Sequence, residues 1–184
     1  MVVRHYGPHL QKHGVRLFIA TAEEKSRYID TLDVSDRLEA DKVDVLLVGR
    51  DGNTDRCFGV VHVKASFAER RTDDVPMSQS LLRSGYTSPL WTMDCKSSPS
   101  RSPVNRGELG CVEGDRRSAK RKDIEDDGFF SACFSYNAAT QPTPKVQSRK
   151  ALIHVCDFKN PDDAFSQFIV NQWKQFSKNA RSRR

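Results

Sequence analysis

The stretch FGVVHVKASFAERRTDD, residues 58–74, decides how this chain is read. Val60, Val61 and Val63 form a β-branched run of the kind a buried strand requires. Lys64 ends that run, and the charged residues Glu69, Arg70, Arg71, Asp73 and Asp74 follow closely. An ammonium at the end of a buried strand is costly unless it finds water or a partner. A lysine that snorkels to solvent is the plain reading. A lysine with a chemical task is the other, and the choice depends on what the chain places opposite it.

Immediately upstream, KVDVLLV (42–48) is a second short strand-like run, and GRDGNTD (49–55) between the two is a strong turn signal. The two runs therefore pair as an antiparallel hairpin. Further out, residues 21–40 read as largely helical, with early acids that suit a helix N-terminus. After Lys64, Ser66 and Glu69 fit a capping box that opens a polar turn or short helix. Pro76 suits the first turn of a helix that Gly85 would stop. SPLWTMDCK (88–96), GFFSACFSY (128–136) and ALIHVCDF (151–158) read as strands. Phe165, Phe168, Ile169, Trp173 and Phe176 recur at helical spacing after a start signal at Pro161. This order predicts an α/β (α+β) fold, a central mixed sheet flanked by helices.

At 184 residues the chain is long enough for one domain with a sizeable core. A polar loop is expected at about 97–127, where Ser, Pro and charged residues dominate. The abrupt start, MVVRHYGPHL, leaves open that an N-terminal portion is missing. A net charge of +6 favours a polyanionic partner, although basic proteins without one are common. No apolar run approaches the roughly 18 residues of a membrane span, and no signal-peptide core is evident, so a soluble, cytoplasmic protein is expected. Cys57, Cys95, Cys111, Cys133 and Cys156 are odd in number and scattered, which supports neither a zinc module nor a disulfide framework. His5, His9 and His13 recur every fourth residue, but Gly7, Pro8 and Gly14 interrupt any metal-binding helix face there.

In an antiparallel hairpin the start of one strand lies beside the end of the next. Asp44 and Lys64 are thereby brought to one edge of the sheet. A carboxylate that holds Mg²⁺ and an ammonium at the attacking water together suit phosphodiester cleavage. Val43-Asp44, a tight turn, and an apolar strand closing on His62-Val63-Lys64 resemble the pattern of the PD-(D/E)XK nucleases. The continuation KASFAERRTDD, then a helix, then a strand ending DCKSSPSR looks like the type II restriction endonucleases, in particular the subgroup reading CCGG-containing sites. The resemblance covers roughly residues 20–110 and implies a restriction-endonuclease-like fold, Mg²⁺, double-stranded DNA as partner, and a homodimer on a symmetric site. It implies Asp44 as metal ligand and Lys64 as the catalytic lysine.

Two positions depart from the pattern: Val43 stands where a proline is usual, and His62 where the second acid belongs. In some members of the subgroup that acid migrates out of the strand, which makes Glu69 the nearest candidate and Glu23 or Glu24 the next. Glu69 has its other reading as the capping partner of Ser66. His62 reads as a weak metal ligand or as a packed histidine. Asp94-Cys95-Lys96, with Asp74 upstream, matches the written motif literally, but Pro76 and a helix separate its parts. Asp44 with Lys64 is preferred. Arginine forks match guanine and carboxylates accept from cytosine, so Arg70, Arg71, Asp73 and Asp74 are candidate base contacts, and Arg101 a phosphate contact. An ordinary solvated turn would have the same composition. A repair or recombination nuclease of the same superfamily, or a non-catalytic basic DNA-binding protein, are the alternatives to a restriction enzyme.

Overall fold

A computed structural model describes residues 1–34, 42–66, 71–95, 107–112, 117–145 and 148–182, the side chains of 71, 72, 181 and 182 excepted. Six strands lie side by side in chain order: β1 (Val15–Phe18), β2 (Val45–Asp51), β3 (Thr54–Lys64), β4 (Leu90–Thr92), β5 (Cys133–Ser135) and β6 (Ile153–Val155). The first three pair antiparallel, and β3 to β6 run parallel. The sheet is therefore mixed, as expected, with β3 at the change of direction.

The expected hairpin is β2–β3, although its turn is tighter than the sequence implies. Asp51 pairs with Thr54, and Gly52 takes the left-handed conformation (φ 61°) that a tight reversal demands. Gly59 serves packing instead: a Cβ there would collide with the Thr87 carbonyl, which accepts the Val60 amide at 3.0 Å. That close approach starts the parallel pairing of β3 with β4.

Strand alternation sorts the side chains into two cores. Val45, Leu47, Phe58, Val61, Trp91 and Phe134 face α1 (Val2–Gln11) and α5 (Ala164–Ser182), against Tyr6, Leu10, Phe165, Ile169 and Trp173. The aromatic face expected of the last helix is thus a packing face. On the other side Leu46, Val48, Cys57 and Val60 meet α2 (Ala22–Ile29) and α3 (Arg71–Arg83), through Ile29, Met77 and Leu81. Leu90, Cys133 and Ile153 continue that side against Ile124 of α4 (Ala119–Glu125). Burial pushes the Cys57 thiol up to about 11, in keeping with a cysteine that acts as a small hydrophobe.

Four elements differ from the sequence reading. Residues 2–11 form a helix despite Gly7 and Pro8, because complete burial of Tyr6 and Leu10 outweighs the single helical bond that Pro8 lacks. The short strand β1 was not anticipated. Pro76 lies inside α3 instead of opening it, so the helix begins at Arg71 and carries Asp73 and Asp74 in its first turn. The expected polar loop contains α4, which buries Arg121, Ile124 and Glu125 completely. Arg121 there pairs with Glu125 at 2.7 Å and donates to the Leu109 carbonyl at 2.9 Å. Helix α2 ends at Ile29, while residues 35–41 of the longer helix read from the sequence lie outside the described residues.

Candidate active site

The site is built where the β2–β3 ladder runs out. Its last pair is Val45 with Val61, so the next amides of β3 face no β2 backbone. Asp44, one residue before β2, supplies the missing acceptor: its Oδ2 takes the Val63 amide at 2.9 Å. The same oxygen accepts from Lys64 Nζ at 2.6 Å. The strand-end lysine therefore does not snorkel to solvent; it is 8% exposed and paired inside the sheet edge.

A second carboxylate completes the group. Val60, His62 and Lys64 share one face of β3 by alternation, and that face lies under α3. Asp74, in the first turn of α3, places Oδ1 at 3.4 Å from Lys64 Nζ and 3.5 Å from His62 Nδ1. Its side chain is 2% exposed, and Oδ2 is buried with no hydrogen-bond partner among the described residues. One ammonium thus stands between two carboxylates, and the cluster keeps an excess negative charge in a poorly solvated place. Such a site favours a cation.

The arrangement bears on three sequence expectations. Asp74 was a candidate base contact, but its burial against Lys64 and His62 takes it away from any surface where a base edge could sit. His62, a candidate metal ligand, has a fully buried ring with Nε2 2.9 Å from Ser88 Oγ and Nδ1 without a hydrogen-bond partner among the described residues, in keeping with its other reading as a packed histidine. The Ser66 hydroxyl donates to Glu108, which also binds Lys120, while Glu69, its expected capping partner, lies outside the described residues. Glu69, Arg70, Lys96 and Arg101 lie outside the described residues, as does the side chain of Arg71. Asp73 is half exposed and faces Lys42, at 3.6 Å.

Two of the rival acids are engaged elsewhere. Glu24 closes the capping box of α2 with Thr21, whose amide it accepts at 2.9 Å. That backbone bond holds its carboxyl below the usual range. Asp94, at φ 46°, is turned inward: its carboxylate accepts the amides of Glu108 and Leu109 and the Thr140 hydroxyl at 2.6 Å. Burial raises its pKa even so. Asp94 anchors chain segments, and among the described residues Asp44 and Asp74 are the acids that meet Lys64. The sequence signal that would have found Asp74 is a helix read from Arg71 instead of Pro76, one turn earlier.

Asp44, 28% exposed, and the buried Asp74 supply oxygen donors beside a lysine. Mg²⁺ is held by one or two carboxylates while keeping several waters, whereas a closed cage of three or more ligands suits other metals. The unpartnered Oδ2 of Asp74 fits the first description.

The mixed sheet carries a lysine and two acids at the edge where its first hairpin ends, and the chain belongs to the BsaWI restriction endonuclease type 2 family, whose family model matches residues 21–177. It is 40% identical over 179 residues to the type II restriction enzyme AgeI of Thalassovita gelatinovora, a match covering 93% of this chain and 64% of that enzyme. The crystal structure of a specific AgeI–DNA complex agrees with a TM-score of 0.82 at 38% identity, over 93% of this chain and 64% of that one. A pre-specific BsaWI–DNA complex, at 12% identity and a TM-score of 0.59 over 95% and 60% of the two chains, shares the fold. The chain thus spans under two thirds of the length of these relatives.

Proposed function

We propose that the protein hydrolyses phosphodiester bonds of double-stranded DNA at a specific sequence, as a Mg²⁺-dependent type II restriction endonuclease. The observation that carries this reading is Lys64 Nζ held between the carboxylates of Asp44 and Asp74 in a chain of this family. Mg²⁺ bound by those two acids would neutralise charge on the phosphate and lower the pKa of a water. Lys64 orients the attacking water and stabilises charge that builds on the phosphoryl oxygens. Asp44 fixes Lys64 and the end of β3 together, because one oxygen binds both the ammonium and the Val63 amide. The low exposure of Lys64 and Asp74 limits competing water, which strengthens each of these contacts.

Glu69, Arg70, Arg71, Asp73 and Arg101 are proposed to face the DNA, the arginines through guanine edges or phosphates. Sites containing CCGG are the proposed targets, and a homodimer in the cytoplasm the working form. No described helix is long and apolar enough to cross a membrane. The test is digestion of DNA of known sequence with the purified protein and Mg²⁺. Discrete fragments sharing one terminal sequence are expected; a smear would indicate a non-specific nuclease, and DNA left intact at all metal concentrations would reject cleavage.

A further inference from the structure

His62 is a fully buried polar side chain of β3, beside Lys64, that the chemistry above leaves without a task. It stands two residues before Lys64 on the same face, with no solvent exposure. Phe130 packs against the ring edge-on, with centroids 5.4 Å apart. Ser88 Oγ lies 2.9 Å from Nε2; Asp74 Oδ1 lies 3.5 Å from Nδ1, a close approach outside hydrogen-bond geometry, and Nδ1 has no hydrogen-bond partner among the described residues. A carboxylate only accepts, so a ring hydrogen on Nδ1 would face Asp74, and Nε2 would then accept the Ser88 hydroxyl. His62 and Lys64 both approach the same oxygen of Asp74, at 3.5 and 3.4 Å. The other oxygen, Oδ2, is the one left buried and unpartnered among the described residues.

The geometry points to His62 as a positioning residue: steered by Ser88, it sets its Nδ1 edge against Oδ1 of Asp74 and so turns Oδ2 toward the divalent cation. This rests on the reading of Asp74 as a metal-holding acid and adds what orients it. The role is that of an outer-shell partner, whose loss commonly weakens metal affinity 10- to 100-fold. The motif position that holds an acid in related nucleases thus supports an acid supplied by α3.

The two faces of the imidazole can be removed separately. In His62→Asn the amide nitrogen sits near the Nδ1 position and keeps the contact to Asp74. In His62→Gln it sits near Nε2 and keeps only the contact to Ser88. Mn²⁺ binding by calorimetry, without DNA, gives a readout independent of cleavage, and thermal melts report folding. His62→Asn should bind Mn²⁺ within a few-fold of the unaltered protein, and His62→Gln about 10- to 100-fold more weakly, with the half-saturating Mg²⁺ for cleavage moving in parallel. Ser88→Ala, a smaller change, should weaken Mn²⁺ in the same direction and keeps the question open to test if either His62 variant fails to fold. Equal Mn²⁺ affinity in the Asn and Gln variants, or unaltered affinity in Ser88→Ala, overturns the role of His62 alone. Mn²⁺ affinity untouched by Asp74→Asn overturns the metal reading of Asp74 and the role of His62 with it.

Discussion

At the scale of single residues, the proposed chemistry depends on three side chains and makes sharp demands on each. Asp44→Asn should abolish cleavage while DNA affinity is unchanged or slightly higher, because a charge that repels phosphate is lost. Asp74→Asn should do the same, whereas Glu69→Gln should keep cleavage; parallel gel-shift and plasmid-cleavage assays on the three variants check this. The reverse ranking of Asp74 and Glu69 would return the second acid to the segment after β3. Asp94 makes a prediction about pH. Its carboxyl is pushed upward by burial, so the folded state holds its proton to higher pH than the unfolded chain. Stability contributed by this group therefore falls as pH rises through the folded pKa and is regained on acidification. Denaturant unfolding at a series of pH values should show the unaltered protein gaining on Asp94→Asn between pH 7 and 4.

Among the elements, α3 matters most, since it places Asp74 over β3. Its packing rests on Met77 and the fully buried Leu81, and its end is set by Gly85. Tyr86 N bonds to Leu81 O at 2.9 Å and Gly85 N to Leu82 O at 3.0 Å, a Schellman closure with Gly85 at φ 81°. A methyl group at Gly85 would meet nothing within 4 Å, so Gly85→Ala isolates the backbone penalty from any clash. It should cost about 1–2 kcal/mol of stability, the usual left-handed penalty for an L-residue, measured by urea unfolding. A cost near zero would show that the helix end relaxes freely. The hairpin β2–β3 and the last helix were legible in the sequence because their periodicity is local. Helix α3 was misplaced by one turn, because Pro76 reads as a start signal while tertiary packing and the acids of the first turn carry the helix past it.

For the whole molecule, the net charge of +6 makes the proposed hold on DNA salt-dependent. Arg70 and Arg71 can then be sorted by what their loss does. A phosphate contact weakens binding to all sequences equally and reduces the salt slope by about one unit. A guanine contact costs about 1–3 kcal/mol of discrimination and leaves non-specific affinity nearly intact. Arg70→Ala and Arg71→Ala are expected to narrow the gap between cognate and scrambled duplexes by that order, in titrations at two salt concentrations. Equal weakening on both duplexes would make the segment an electrostatic grip.

What the sequence by itself determined is the local part: two strand-like runs joined by the turn signal at 49–55, with an acid beside the first and a lysine ending the second. Those features follow from alternation and turn chemistry within about twenty residues, and they suffice to bring Asp44 and Lys64 to one edge. Tertiary structure alone decided the rest. Asp74 approaches Lys64 only because α3 folds back over the face of β3 that carries Val60, His62 and Lys64, a contact set by burial of Met77 and Leu81. The helices at 2–11 and 119–125 exist because their apolar residues found partners distant in the chain. Asp94, an acid in the literal motif, became an anchor once the amides of residues 108 and 109 reached it. Chain pattern states which groups are neighbours along a strand; which groups meet across layers is settled by how the layers pack.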